Sequence, residues 1–461
     1  MPRRERMARV DAAWLHMETP DNLMMITGVM WFEVPLDRAA VAEVVRERLV
    51  ERFPRFRDRV VEHRLGGPAW APDPDFSLEH HLVEVRLPQP GDHAALEALV
   101  DRTLSTALDR EHPLWQVMLV QDYRGGSALL TRIHHCIADG IALARVLLSL
   151  ADPAEGVETD DVLTPDLEDD HGHSRLRALG LQAREAVHGA ARAARTLAHE
   201  GKEVVRNPGE VLDAGRYGAE AVAKLLTLPD ELPTCLRGAL SVRKRAAWSD
   251  SFTLAEVKRV GKAIGATVND VLLTTVTGAL RRYMLERDGP VVDVTTFVPV
   301  NLRPLDGPIA LGNRFGLVFL TLPVSVHTPL GRLHALKARM DAIKDSPEAL
   351  VAYGILAAMG QAPAAVEGQI VRLFGQKASA VMTNVPGPRQ PLRLAGEQVA
   401  GVMFWVPQSG GVGLGVSIFS YAGKVLLGIN ADAAILPDPH EIIRGAEAEF
   451  AALAALTEPA A

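Results

Sequence analysis

The sequence predicts an α/β protein built as two domains, and three observations carry that expectation. The chain has 461 residues, and one domain usually takes roughly 100–200, so a single hydrophobic core does not account for its length. Strand-like and helix-like patterns alternate in two stretches, one ending near Ala151 and the other beginning near Ser249. Between them the composition changes abruptly. The expected division is residues 1–151, a connecting segment 152–248, and residues 249–461.

In the first stretch, Leu23 to Val34 is β-branched and aromatic and reads as a strand. Asp37 to Phe53 has helical spacing with an aspartate at its start. His112 to Tyr123 and Ser127 to His135 read as two strands around the turn "RGG", a hairpin signal. Ile141 to Asp152 reads as a helix.

The connecting segment opens acidic and proline-bearing, from Asp152 to His173, and then becomes Ala- and Arg-rich. From Ser174 to Arg206 it carries seven Lys/Arg against three Glu, a pattern that fits a solvated helix or a basic surface resting on anionic lipid. In the second stretch, Thr253 to Gly265 and Thr267 to Arg287 read as helices, and Val291 to Pro304 as a strand running into a loop. Val412 to Asp432 reads as two strands around the Tyr421–Lys424 turn.

Charge and composition exclude several classes. The formal net charge of −8 gives nucleic-acid binding no overall electrostatic support. With 48% hydrophobic and 23% charged residues, the chain is too apolar for disorder. Cys136 and Cys235 provide no disulfide framework and fit a reducing compartment. The start lacks an uninterrupted apolar stretch, so no signal peptide is expected. No run of about 18 apolar residues is present, so any membrane contact is expected to be peripheral.

The segment most charged with chemistry is "TRIHHCIADG", Thr131 to Gly140. Successive side chains on a strand point to opposite faces, so His134 and His135 cannot serve one site in the same way. One ring is expected to enter a cleft while the other packs behind. An imidazole with a pKa near 6.5 suits proton removal from a hydroxyl at neutral pH. Asp139 reads equally as a cap for the following helix, and Gly140 as the residue that permits a tight turn. Contiguous ligands on a strand diverge, so no metal site is expected among His134, His135, Cys136 and Asp139. Cys136 reads as a small buried side chain rather than a nucleophile.

"HHCIADG" resembles the HHxxxDG motif of the acyltransferase and condensation-domain superfamily that includes chloramphenicol acetyltransferase. Further segments in the same order resemble the bacterial wax ester synthase/diacylglycerol acyltransferase family: "DAAWLHMETP", "PLW" (Pro113 to Trp115), "ND" (Asn269 and Asp270), "VPVNLRP", "GNRFG", "TNVPGP" and "SYAGKVLLGINAD". Together they span nearly the whole chain.

The resemblance implies two chloramphenicol-acetyltransferase-like domains, each a mixed sheet flanked by helices, with a tunnel between them. It implies direct transfer of a long-chain acyl group from acyl-CoA, the co-substrate, to a fatty alcohol or diacylglycerol, with no further cofactor and no metal. His135 is then the general base. His134, Asp139 and Gly140 complete the motif, and Arg303 is a candidate partner for Asp139. Asn269 is a candidate oxyanion donor or polar tunnel residue, with helix capping as its other reading. Pro113, Trp115, Asn301, Asn384 and Gly387 are expected around the tunnel, the first two shaping its wall and Gly387 fixing a loop. The implied setting is cytoplasmic, with peripheral contact to the inner membrane or lipid droplets. Two rival readings remain at this point: a carrier-protein-dependent transferase acting on a specialised metabolite, and a non-catalytic acyl-CoA or lipid-binding scaffold.

Overall fold

The computed structural model describes residues 4–62, 67–153, 228–250, 252–287, 289–303, 310–344, 352 and 364–457. The basic, Ala-rich stretch of the connecting segment lies outside the described residues.

Along the first half run helix α1 (Arg9–His16), strand β1 (Met25–Phe32), helix α2 (Arg38–Val44), strand β2 (Leu82–Arg86), helix α3 (His93–Leu104), strands β3 (Trp115–Tyr123) and β4 (Gly126–His134), and helix α4 (Gly140–Leu148). The second half holds strand β5 (Lys244–Trp248), helices α5 (Leu254–Ile264) and α6 (Val268–Leu285), strands β6 (Val294–Asn301) and β7 (Phe315–Leu322), and helices α7 (Pro329–Lys344) and α8 (Ala364–Gly375). It closes with strands β8 (Ala380–Val385), β9 (Gly401–Trp405), β10 (Leu414–Tyr421) and β11 (Lys424–Asp432), and helix α9 (Pro439–Ala455).

Helix starts follow local chemistry. Asp37 accepts the Ala40 N–H at 2.8 Å and so begins α2 at the aspartate the sequence marked. Thr267 and Asp270 cap α6 reciprocally, at 3.1 and 3.0 Å. On α6, 13 residues are buried, which makes it the central helix of the second core.

The sheet of the first half has the order β9–β1–β4–β3–β2, with β2 and β3 parallel and the other pairs antiparallel. The second sheet has the path β11–β10–β8–β6–β7, with the short strand Phe252–Thr253 and β5 both pairing to β11. In it β8 runs parallel to both β6 and β10. Both sheets are therefore mixed, as expected.

Two strands do not respect the linear division of the chain. Lys244–Trp248 falls in the expected connecting segment, yet it pairs with β11, and Lys244 Nζ lies 2.7 Å from the buried Asp432 carboxylate. Gly401–Trp405 comes from the second half but pairs with β1 of the first sheet. Glycines permit that crossing. A Cβ on Gly401 would lie 2.0 Å from the Trp31 ring, and one on Gly28 would lie 2.4 Å from the Phe404 ring. Alternating hydrophobicity identifies a strand but not the sheet that receives it.

Candidate active site

Strand β4 ends at His134, whose N–H bonds Leu114 O at 2.9 Å, while the His135 N–H bonds Met24 O at 2.7 Å. The Ile137 N–H then returns to His134 O at 3.0 Å and turns the chain toward α4. Gly312 braces this turn. Its N–H donates to Ile137 O at 2.9 Å, and its φ of +90° is a conformation that favours glycine.

The two imidazoles diverge as strand alternation requires. His134 packs behind, with Nε2 3.0 Å from Glu18 Oε2, and its Nδ1 accepts the Cys136 N–H at 3.0 Å. An accepting Nδ1 assigns the ring proton to Nε2, facing Glu18. Burial alone would raise the Glu18 pKa, but hydrogen bonds and charge from His134 and Arg110 outweigh it and bring the carboxyl down to about 2.

His135 enters the cleft. Its ring stacks on Trp14 at 4.0 Å with an interplanar angle of 21°, and Phe315 lies 5.7 Å away. Nδ1 is buried, and the ring lines the open space of the cleft. Burial, reinforced by the neighbouring His134, lowers the His135 pKa to about 3, so the ring is unprotonated at neutral pH. Asn313 Nδ2 reaches both His135 O and Asp11 Oδ1 at 2.8 Å. Burial lifts Asp11 to about 6 despite its hydrogen bonds from Asn313.

Asp139 has both of its expected roles. Oδ1 accepts the Ala142 N–H at 2.9 Å and caps α4, while Oδ2 takes Arg303 Nη1 at 2.6 Å and the Arg314 N–H at 3.0 Å. Asn301 Oδ1 accepts the Arg303 N–H at 2.9 Å and steadies that loop. Gly140 corrects the sequence reading. It is the first residue of α4 and does not have a positive φ, so no tight turn depends on it. The nearest atom to a Cβ built there is Ile26 Cδ1, at 3.8 Å, and both residues line the cavity.

The cavity lies between the halves and occupies about 1450 Å³, counting its open mouth. One wall is the face of the second sheet, where register aligns Phe319, Phe297 and Val381 in one row and pairs Leu317 with Pro299, Phe315 with Asn301, Thr383 with Ser417, and Val385 with Phe419. His135, Asp139 and Gly140 line the opposite side with Trp14 and Ile26. Apolar side chains dominate the lining.

Of the candidate residues, Asn301 and Asn384 reach this tunnel, whereas Asn269 is not on its wall. Asn269 Oδ1 accepts Asn384 Nδ2 at 2.9 Å and holds it from behind. Nor does Asn269 cap α6, because Thr267 does so two residues earlier in the chain. Trp115 is also away from the wall: its ring stacks on His81 at 4.4 Å and its Nε1 donates to Phe56 O at 2.8 Å, inside the first core. Pro113 is buried beside it. An apolar motif cannot reveal by composition whether it faces a tunnel or a core. Gly387 lies off the tunnel too, where a Cβ would come within 2.1 Å of Ser420 O. Cys136 is fully buried, and burial pushes its thiol well above the usual range, which removes it as a nucleophile.

Sequence reading assigned no roles to Asp11, Trp14, Glu18, Asn313 or Phe315. A signal existed for the first two, since Asp11 and Trp14 are three residues apart and share one face of α1. Among the described residues, no group of three or more His, Cys, Asp or Glu side chains is arranged to hold a metal ion.

Comparison with known proteins fits this geometry. Residues 7–272 match the wax ester synthase/diacylglycerol acyltransferase catalytic domain, and residues 311–454 match the WS/DGAT C-terminal domain. A Mycobacterium tuberculosis protein named as a diacylglycerol O-acyltransferase is 29% identical, over 97% of this chain and 96% of its own. A Mycobacterium bovis protein of the same name is 30% identical, over 91% and 92%. In fold, the chain is similar to a wax ester synthase/diacylglycerol acyltransferase from Marinobacter aquaeolei, with a TM-score of 0.69 at 23% identity over 98% of this chain and 99% of that one. It is also similar to the first condensation domain of the calcium-dependent antibiotic synthetase, with a TM-score of 0.60 at 17% identity over 100% and 97%. With the catalytic-domain match extending over more than half of its length, the chain belongs to the wax ester synthase/diacylglycerol acyltransferase family and is an acyltransferase.

Proposed function

We propose that the protein transfers a long-chain acyl group from coenzyme A to the hydroxyl of a fatty alcohol or diacylglycerol, with His135 as general base. The observation that carries this reading is an unprotonated, buried imidazole lining a tunnel whose other side chains are mostly apolar. Nε2 takes the hydroxyl proton as the acceptor oxygen attacks the thioester carbonyl. The tetrahedral oxyanion collapses by breaking the carbon–sulfur bond, and the imidazolium returns the proton to the thiolate. A histidinium is costly in this site on its own, so it forms together with the oxyanion that neutralises it. The transfer is direct, and acyl-CoA is its co-substrate.

The test is release of free coenzyme A that depends on added hexadecanol or dioleoylglycerol, with the ester identified as product. Followed against pH, kcat/KM should show no inflection from His135 near 6.5, because its folded pKa lies near 3. An acid limb near 6 belongs to Asp11 and should vanish in Asp11→Asn. A limb near 6.5 that persists in that variant would contradict the burial of His135.

The expected products are too apolar to leave into water, so the proposal places the protein at a membrane or lipid-droplet surface. No single helix among the described residues is long and apolar enough to cross a bilayer. The bent pair α5 and α6, at 97°, meets the length and composition test only jointly, and α6 is buried in the second core. The candidate contact is the basic stretch Arg175 to Arg206, where each cation near an anionic surface contributes about 1 kcal/mol. Changing Arg184, Arg192 and Arg195 together to Glu should reduce flotation with anionic vesicles at low salt, while sparing turnover of a short soluble alcohol. Unchanged flotation would exclude this stretch as the contact.

A further inference from the structure

We infer that the aromatic cluster of Phe297, Phe319 and Phe374 is a ruler for the length of one substrate chain. The inference rests on the transfer reading above and adds to it a limit on the alkyl chain.

Strand β7 places Phe315, Leu317 and Phe319 on one face, and all three line the tunnel. Phe315 marks the reacting end, since its ring lies 5.7 Å from that of His135. Phe319 is four residues further along the same strand, which at about 3.3 Å per residue is about 13 Å away. There the Phe319 ring meets Phe297 at 4.9 Å and Phe374 at 6.0 Å. This group packs on Ala378, Val412 and Leu228, so the rings at that end are backed by further side chains. Phe297 and Phe319 are only 5% and 8% exposed, which marks them as fixed parts of the wall.

An extended alkyl chain advances about 1.3 Å per carbon, given C–C bonds of about 1.5 Å. A chain lying along β7 therefore meets the aromatic group after about ten carbons from the reacting atom. Shorter chains leave apolar wall uncovered, and longer ones must displace or bend around rings held by their neighbours. Leu317 lies midway, so a larger side chain there would end the run earlier. The chain is a linear alkyl group, which either the acyl thioester or the alcohol could supply.

The test uses the full-length protein, graded acyl-CoAs with one alcohol, and graded alcohols with one acyl-CoA, reading kcat/KM against length. Phe319→Ala and Phe374→Ala should each move the optimum of one series toward longer chains. The preference for the longer over the medium chain should rise by about ten-fold. Leu317→Trp should move the same series toward shorter chains. Opposite shifts from the two kinds of substitution cannot come from misfolding, which lowers all lengths alike. A shift confined to the thioesters assigns the β7 track to the acyl group, and one confined to the alcohols assigns it to the acceptor. Unchanged length profiles in all three active variants would overturn the ruler. Failure of the unsubstituted protein to form ester from any pair would instead overturn the transfer reading, and the ruler with it.

Discussion

His135→Ala should lose about 10²- to 10⁴-fold in turnover while still unfolding in one cooperative transition. The side chain is the only imidazole lining the tunnel among the described residues, so no neighbour stands ready to accept the hydroxyl proton. Acceptor-dependent release of coenzyme A measures the loss, and circular dichroism checks the fold. Near-parental turnover by a folded variant would remove His135 as the base. The substitution should also change the acid sensitivity of the fold. Because the folded pKa is depressed to about 3, the unfolded chain takes up a proton near 6.5 that the folded protein refuses. The stability linked to His135 is therefore full above about 6.5 and is lost as pH falls toward 3. The alanine variant lacks that component of acid unfolding.

Asp139→Ala should cost about 3–5 kcal/mol of stability, the range for removing one partner of a buried ion pair. Its side chain is 5% exposed and that of Arg303 is 12%. The substitution leaves the Arg303 guanidinium, the Ala142 N–H and the Arg314 N–H without their shared carboxylate. Asp139→Asn keeps a cap acceptor and loses the charge, so its denaturation midpoint should fall between parent and alanine. Turnover should fall in both variants, because Asp139 anchors the end of the turn that carries His135. An unfolding free energy for Asp139→Ala within about 1 kcal/mol of the parent would show that the pair does not hold the halves together.

Much of this was readable in the sequence where a local rule decides the outcome. Strand alternation separated the two histidines, and Asp139 capped α4 because its side chain needs only the next three residues. Arg303 could be named as a partner only through motif resemblance, since 164 residues separate it from Asp139 and no local rule spans that distance. Trp115 and Pro113 lie in the core rather than on the tunnel wall, because wall and core present the same residue types. Asn269 reaches the tunnel only through Asn384, a contact across 115 residues that no local rule reveals. Trp14, Glu18 and Asn313 went unassigned because their roles arise from contacts between segments far apart in the chain.

The strand Gly401–Trp405 has a mechanical consequence. It is covalently part of one half and hydrogen-bonded into the sheet of the other, so it stitches the molecule across the cleft that holds His135. Enzymes that close two lobes over a substrate rely on a hinge with few backbone ties across the gap. Here, opening the cleft like jaws would require tearing β9 from β1 and exposing both edges. A long acyl chain is therefore expected to thread into the cleft from its mouth rather than to be enclosed by two closing lobes.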